Sequence, residues 1–208
     1  MAKRGRRLHA AVAAAVVVAG LMIGTGGAFW PPAAAQAPSA PSGTEADERA
    51  RALDALFEGL KVARGDDEAD ELVARIWEVW TRSGRADVDR LMQEGIGYLA
   101  IRQFGAAHDR FSEAIEAAPD FAEAWNKRAT VLYLMREHEQ SLSDIEKVLT
   151  LEPRHFGALA GRGMIHAHAG RWQEALDAYR QALAVNPFLK ERTIIIPMLE
   201  RRAGEKPL

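Results

Sequence analysis

Between Val88 and Leu189 the apolar and small positions of the chain recur every 34 residues. Pro119, Pro153 and Pro187 mark the interval, and laying 88–121, 122–155 and 156–189 over one another aligns further columns. The fourth column reads Leu91, Trp125, Leu159, and the eighth reads Gly95, Ala129, Gly163. The twentieth reads Ala107, Ser141, Ala175; the twenty-fourth, Phe111, Ile145, Tyr179; the twenty-seventh, Ala114, Val148, Ala182. Each segment predicts two helices, one per half. A single helix pair cannot bury its apolar face, so the pairs must stack. Small residues at columns eight and twenty allow two helices to approach closely. The twenty-fourth column is expected to fill the space against the next repeat. The prolines should stop each second helix, because proline removes an amide donor and clashes with the preceding turn. Gly170 falls in the turn between the helices of the third segment; Arg102 and Arg136 hold that column in the other two, where the turns are less ideal.

The flanks are helical but irregular. In 48–83, Leu53, Leu56, Phe57 and Leu60 make one stripe at helical spacing, and Leu72, Ile76, Trp77, Val79 and Trp80 make a second. Gly65-Asp66-Asp67 breaks the chain between them and supplies an N-cap, and Ser83-Gly84 ends the second helix. The expectation is a degenerate pair over 48–87 that caps the N-terminal end of the array. Residues 190–208, with Ile194, Ile195, Ile196, Met198 and Leu199 in the helix that begins near Phe188, should cover the last apolar face, with Pro197 kinking that helix or starting a short second turn.

Three contiguous frames of this kind resemble the tetratricopeptide repeat (TPR). Ala122-Glu123-Ala124-Trp125 and Gly170-Arg171-Trp172-Gln173-Glu174-Ala175-Leu176 are close to its consensus, and the resemblance covers about 102 of 208 residues. The fold it implies is all-α: an α-solenoid of antiparallel helix pairs, with TPR 1 at 88–121, TPR 2 at 122–155 and TPR 3 at 156–189.

The N-terminus changes the picture of where the array works. Lys3, Arg4, Arg6 and Arg7 precede an apolar run from Ala10 to Trp30, and Pro31-Pro32-Ala33-Ala34-Ala35-Gln36-Ala37 follows with small residues where a signal peptidase would cut. The segment 1–37 therefore reads as a signal peptide. The competing reading is an uncleaved anchor, since roughly 20 apolar residues span a bilayer. Either places the body outside the cytoplasm, because the basic end stays inside. The expected location is periplasmic, with the inner membrane involved only if the leader stays attached. The exported array with a divergent N-terminal pair also resembles exported TPR proteins of proteobacteria. Residues 38–47 read as a Pro/Ser/Gly-rich linker.

Charge and composition remove whole classes of function. Formal net charge is −2; without the four leader cations the 27 basic side chains become 23 against 29 acidic ones, a mildly acidic body with no nucleic-acid footprint. The chain has no cysteine, which removes disulfides, thiolate metal sites and a cysteine nucleophile. The histidines at 9, 108, 138, 155, 166 and 168 read as turn and surface residues, apart from a packed His166. His166 and His168 point about 200° apart on a helix and cannot share a metal. Asp66-Asp67-Glu68 suits a helix start, and Gly161-Arg162-Gly163 lies inside a helix rather than in a phosphate loop. Trp77, Trp80, Trp125 and Trp172 read as core and inter-repeat residues. No catalytic grouping, cofactor or metal site is expected.

The resemblance implies that the first helices of the pairs line a concave groove where a peptide or helix of another protein lies. The exposed columns of those helices supply Asp89, Met92, Ile96, Leu99, Asn126, Lys127, Thr130, Tyr133, Ala160, Met164 and His168. A clamp for a carboxy-terminal carboxylate is not expected, since its columns hold Met92, Ile96, Gly157 and Gly161 and only Lys127 carries a usable charge. Met92, Ile96 and Met164 suggest an apolar ligand segment. Alternatively they close the superhelix on itself or on the N-terminal pair. The functional expectation is a non-catalytic scaffold of the cell envelope; the rival is a structural or self-associating subunit of a larger envelope complex. An open groove would favour the first, and a groove filled by Trp77, Trp80 or the C-terminal helix the second.

Overall fold

The computed structural model describes residues 43–204, with side chains from Asp47 onward. The expected leader at 1–37 lies outside the described residues. Nine helices follow in the described chain: α1 (Gly43–Val62), α2 (Asp66–Thr81), α3 (Ala86–Ala100), α4 (Phe104–Ala117), α5 (Ala122–Leu134), α6 (His138–Leu151), α7 (Phe156–His168), α8 (Trp172–Val185) and α9 (Glu191–Gly204). Because α1 starts at Gly43, the stretch expected as linker at 38–47 runs into helix.

The helices α3 to α8 pack as three antiparallel pairs, each stacked on the next. Local chemistry sets their ends. Each first helix closes through a residue with left-handed backbone: Arg102 at φ 61°, Arg136 at φ 67° and Gly170 at φ 74°. The amides of Gln103, Glu137 and Arg171 then donate back to the carbonyls of Tyr98, Leu132 and His166 at 2.9 Å, satisfying acceptors that a helix end leaves open. Only Gly170 takes this conformation without the steric cost of a Cβ. Each second helix stops two residues before its proline. The intervening Ala118, Glu152 and Asn186 are pushed out of the helical region, to ψ 80°, 93° and 94°.

Columns eight and twenty-four meet inside each pair. A Cβ on Gly95 would sit 2.5 Å from Cε1 of Phe111, and one on Gly163 would sit 2.6 Å from Cδ2 of Tyr179. In the middle repeat the glycine is Ala129 and the ring is Ile145, so bulk is exchanged across the same contact. The twenty-fourth side chain therefore packs first on its own repeat's glycine, where the sequence pattern placed it against the next repeat. Adjacent repeats are also tied by Arg128, whose Nε and Nη2 donate to both Asp144 carboxylate oxygens at 2.8 Å and whose Nη1 reaches Ser112 at 3.2 Å.

Both flanks depart from expectation. The helix α9 packs on α8 and buries Ile195 and Leu199, but it continues through Pro197 instead of restarting there. Within the Gly65-Asp66-Asp67 break expected to supply an N-cap, Gly65 takes that position for α2, and Asp66, Asp67 and Glu68 form its first turn. The α1–α2 hairpin is not an added repeat on the N-terminal end of the array. Its apolar stripes face each other and Phe156, with Val185, Phe188 and Leu189 alongside, so it lies against the third repeat.

Candidate functional site

The helix α2 packs against Phe156 at the start of α7 and touches α5. At its start Asp66 pairs with Arg192 at 2.6 Å and Asp70 with Lys190 at 3.1 Å. Near its C-terminal end, Trp80 stacks on His155 with ring centres 4.2 Å apart and planes 10° from parallel, and lies 5.1 Å from Phe156. Trp77 meets Trp80, His155 and Phe156 edge-on at 5.2, 5.5 and 5.6 Å. The second residue of the third repeat, Gly157, is glycine for a visible reason: a Cβ there would come within 2.9 Å of the Trp77 ring. Just past the end of α2, the Ser83 amide and hydroxyl donate to Asp89 at 2.9 and 2.7 Å, and Arg85 donates to the Ala117 carbonyl. Alongside, α1 follows the loops between repeats, with Arg154 paired to Asp54 at 2.6 Å and stacked 4.6 Å over Phe57.

Beneath the tryptophans is a buried polar network. Nδ1 of His155 accepts from the Ala158 amide at 3.0 Å, which caps α7 and leaves the ring proton on Nε2. That proton is donated to Glu123, whose Oε2 lies 3.2 Å away. Asn126 donates to the same oxygen at 2.9 Å, and the Lys127 ammonium lies 3.0 Å from Oε1. Lys127 is also 5.7 Å from the Trp77 ring centre, close enough for a cation–π contact. Burial on its own would push the Glu123 carboxyl up. The Lys127 charge and the His155 hydrogen bond together outweigh it and hold the group down at about 2. The one groove cation is thus committed to an internal carboxylate.

The expected groove residues divide into two sets. Met92, Asn126, Lys127, Ala160 and Met164 are buried, Met92 within the core between the first two repeats. Ile96, Leu99, Thr130 and Tyr133 are half-buried and His168 is exposed. Tyr133, His138 and His168 bring their rings together at 5.0 to 6.1 Å. His155, expected as a turn or surface residue, is fully buried. His166 is half-buried, and burial pushes its imidazole pKa down. Glu123 and His155 are the site residues that the sequence did not single out, whereas Trp77 and Trp80 were among the candidates to fill the groove. Glu123 stands on an exposed column of the groove, and a glycine as the second residue of the third repeat was the one signal that a bulky group would sit above it. Among the described residues, no group of three or more His, Asp or Glu is placed to hold a metal ion, and no helix is long and apolar enough to cross a membrane.

Comparison with known proteins agrees with the helix-pair architecture. Tetratricopeptide-repeat family descriptions match residues 92–140 and 156–189. A TPR repeat-containing protein of Rhizobium etli is 39% identical over 155 residues, which covers 74% of this chain and 76% of that protein. DnaJ homolog subfamily C member 3 of Mus musculus is 32% identical over 51% of this chain, a match confined to 21% of its own length. Among solved structures, the first TPR of Spaghetti, bound to an HSP90 peptide, superposes with a TM-score of 0.55 at 18% identity, over 57% of this chain and 94% of that one. The Sgt2 TPR domain from Aspergillus fumigatus superposes with a TM-score of 0.54 at 19% identity, over 59% of this chain and 87% of that one.

Proposed function

The chain belongs to the tetratricopeptide-repeat family, and on that premise we propose that it is a non-catalytic interaction scaffold of the bacterial cell envelope, holding a segment of another protein on the face of α3, α5 and α7. Domains of this family typically mediate protein–protein interaction by binding peptide segments, and are typically non-catalytic. The observation that carries the reading is that one end of this face already holds a helix: α2 packs Trp77 and Trp80 on His155 and Phe156 at the head of α7, and Trp77 lies over Lys127 of α5. The half-buried Ile96, Leu99, Thr130 and Tyr133 lie toward the other ends of the same helices. The envelope location rests on the leader: a basic end, an apolar run and small residues at a cleavage point.

A second reading has its own support. Trp77 and Trp80 fill part of the face, which is the arrangement of a structural or self-associating subunit. Tyr98, Ile101 and Met135, exposed near the turns between first and second helices, would then carry the contacts.

Site-specific photo-crosslinking in the native host separates the two. A crosslinker at Leu99 or Tyr133 should trap a protein of the envelope fraction that the same group at the exposed Glu116 does not. Trapping only copies of the chain, or the same proteins from all three positions, would reject the groove and favour the subunit. Export is tested apart from this by fractionation and the mass of the mature N-terminus. A full-length protein in the cytoplasm would refute it.

A further inference from the structure

We infer that α2 is a resident, displaceable occupant of a helix-binding groove, and that the partner segment this groove accepts is an amphipathic helix with an acidic first turn and two aromatic side chains three residues apart. The inference deepens the scaffold reading above and rests on it.

The contacts of α2 define that ligand chemistry. Acidic Asp66 and Asp70 meet basic Arg192 and Lys190 at the start of α9, just beyond the third repeat, so orientation is set by charge. Trp77 and Trp80 anchor the C-terminal end on His155 and Phe156, over a floor shaped by Gly157. Helix-in-groove recognition uses this combination of spaced apolar anchors and flanking charge.

Five features make the seat reversible. The hairpin has an apolar core of its own, which meets the array chiefly through Phe156 and the 185–189 turn. The repeats are held by other clusters, around Phe111 and around Ile145, so the array keeps its interior when the hairpin leaves. The ion pairs fastening the hairpin, Asp54–Arg154, Asp66–Arg192 and Asp70–Lys190, all reach solvent, where such pairs contribute little. The Trp80 indole N–H is buried without an acceptor, a penalty that opening relieves. Finally, the charges below the tryptophans are already paired with each other, so uncovering Glu123 and Lys127 strands neither.

The test uses the full-length chain and a fluorescent synthetic peptide of residues 64–83 as the probe. Trp77→Ala/Trp80→Ala empties the groove and should bind the peptide at least about tenfold more tightly than the unaltered chain, whose groove is closed most of the time. The chain has no cysteine, so Asp70→Cys/Lys190→Cys can be bridged by a bis-maleimide at one pair of thiols only. Bridging should abolish peptide binding. A helical, cooperatively melting Trp77→Ala/Trp80→Ala chain that binds no better than the unaltered one would overturn the proposal, as would equal binding before and after bridging. If that variant does not fold, native-state hydrogen exchange on the unaltered chain decides. Amides of α2 should exchange through an opening that leaves α5 and α7 protected; exchange of all three together would make α2 a permanent part of the array and end the proposal. The probe needs no cellular partner. Failure here leaves crosslinking at Leu99 and Tyr133 free to succeed, and failure there leaves this result standing.

Discussion

Phe111 and Trp80 are both buried aromatic side chains, yet they are held in different ways. Phe111 lies against the backbone of Gly95 within one helix pair, a contact between residues 16 apart in sequence that recurs in each repeat. Trp80 lies on His155, far along the chain, and nothing in the array repeats that contact. The first kind of packing is local and periodic and builds the solenoid. The second is made once, and decides what the solenoid presents to other molecules. A surface can therefore be buried in this fold without belonging to its framework.

The largest effect should come from breaking the framework itself. Phe111→Ala is expected to destabilise the array by about 3–5 kcal/mol, whereas Trp77→Ala/Trp80→Ala should leave the main melting transition of the repeats in place while releasing α2. Thermal melts combined with hydrogen exchange compare the two; a common collapse of array and hairpin in both variants would erase the distinction drawn here.

Next in size is the buried network at the boundary between the regions. The Glu123 carboxyl is held at about 2, below its ordinary 4.5. The charged form is thus favoured by folding. Its contribution, about 3 kcal/mol, is complete above pH 4.5 and disappears as pH falls toward 2. Glu123→Gln should lower stability at neutral pH by about that amount and flatten the acid limb of the stability curve. An unchanged acid limb in denaturant titrations would show that the network does not act as described.

Gly163→Ala probes the framework more gently. The added methyl meets the Tyr179 ring at 2.6 Å and should cost about 1–3 kcal/mol, without altering peptide binding at the groove. The smallest effect has the opposite sign. Arg136 occupies a left-handed turn at φ 67°, and Arg136→Gly should stabilise the chain by about 1 kcal/mol, read as a small rise in Tm. A fall in Tm would mean that the Arg136 side chain contributes more than its backbone strain removes.

Much of the framework was legible beforehand because its determinants are near neighbours in sequence. The glycine or alanine at column eight, the prolines and Gly170 each act within one helix pair. Of the two outcomes expected at Pro197, a fresh turn does not occur: the helix α9 continues through it while Ile195 and Leu199 are buried and α9 packs on α8. The groove was legible only in part. Its columns follow from the repeat and the Glu123–Lys127 pair from its i,i+4 spacing, but Met92 turns inward to the core, and no spacing reveals that Trp77 and Trp80 bury the pair. Trp77 and Trp80 are legible as residues able to fill the groove, but not as partners of His155 and Phe156.

By itself, the sequence determined the helix pairs, their 34-residue period, their stops and the all-α class, since these follow from backbone conformation and side-chain bulk within a few turns of chain. The tertiary structure alone decided where the N-terminal hairpin would lie. Its stripes of leucine and tryptophan require only an apolar surface, and such stripes do not specify which of several surfaces it is. Shape and charge made that choice: the gap over Gly157, the flat face of His155, and Lys190 and Arg192 facing Asp70 and Asp66 come together only once the repeats have stacked.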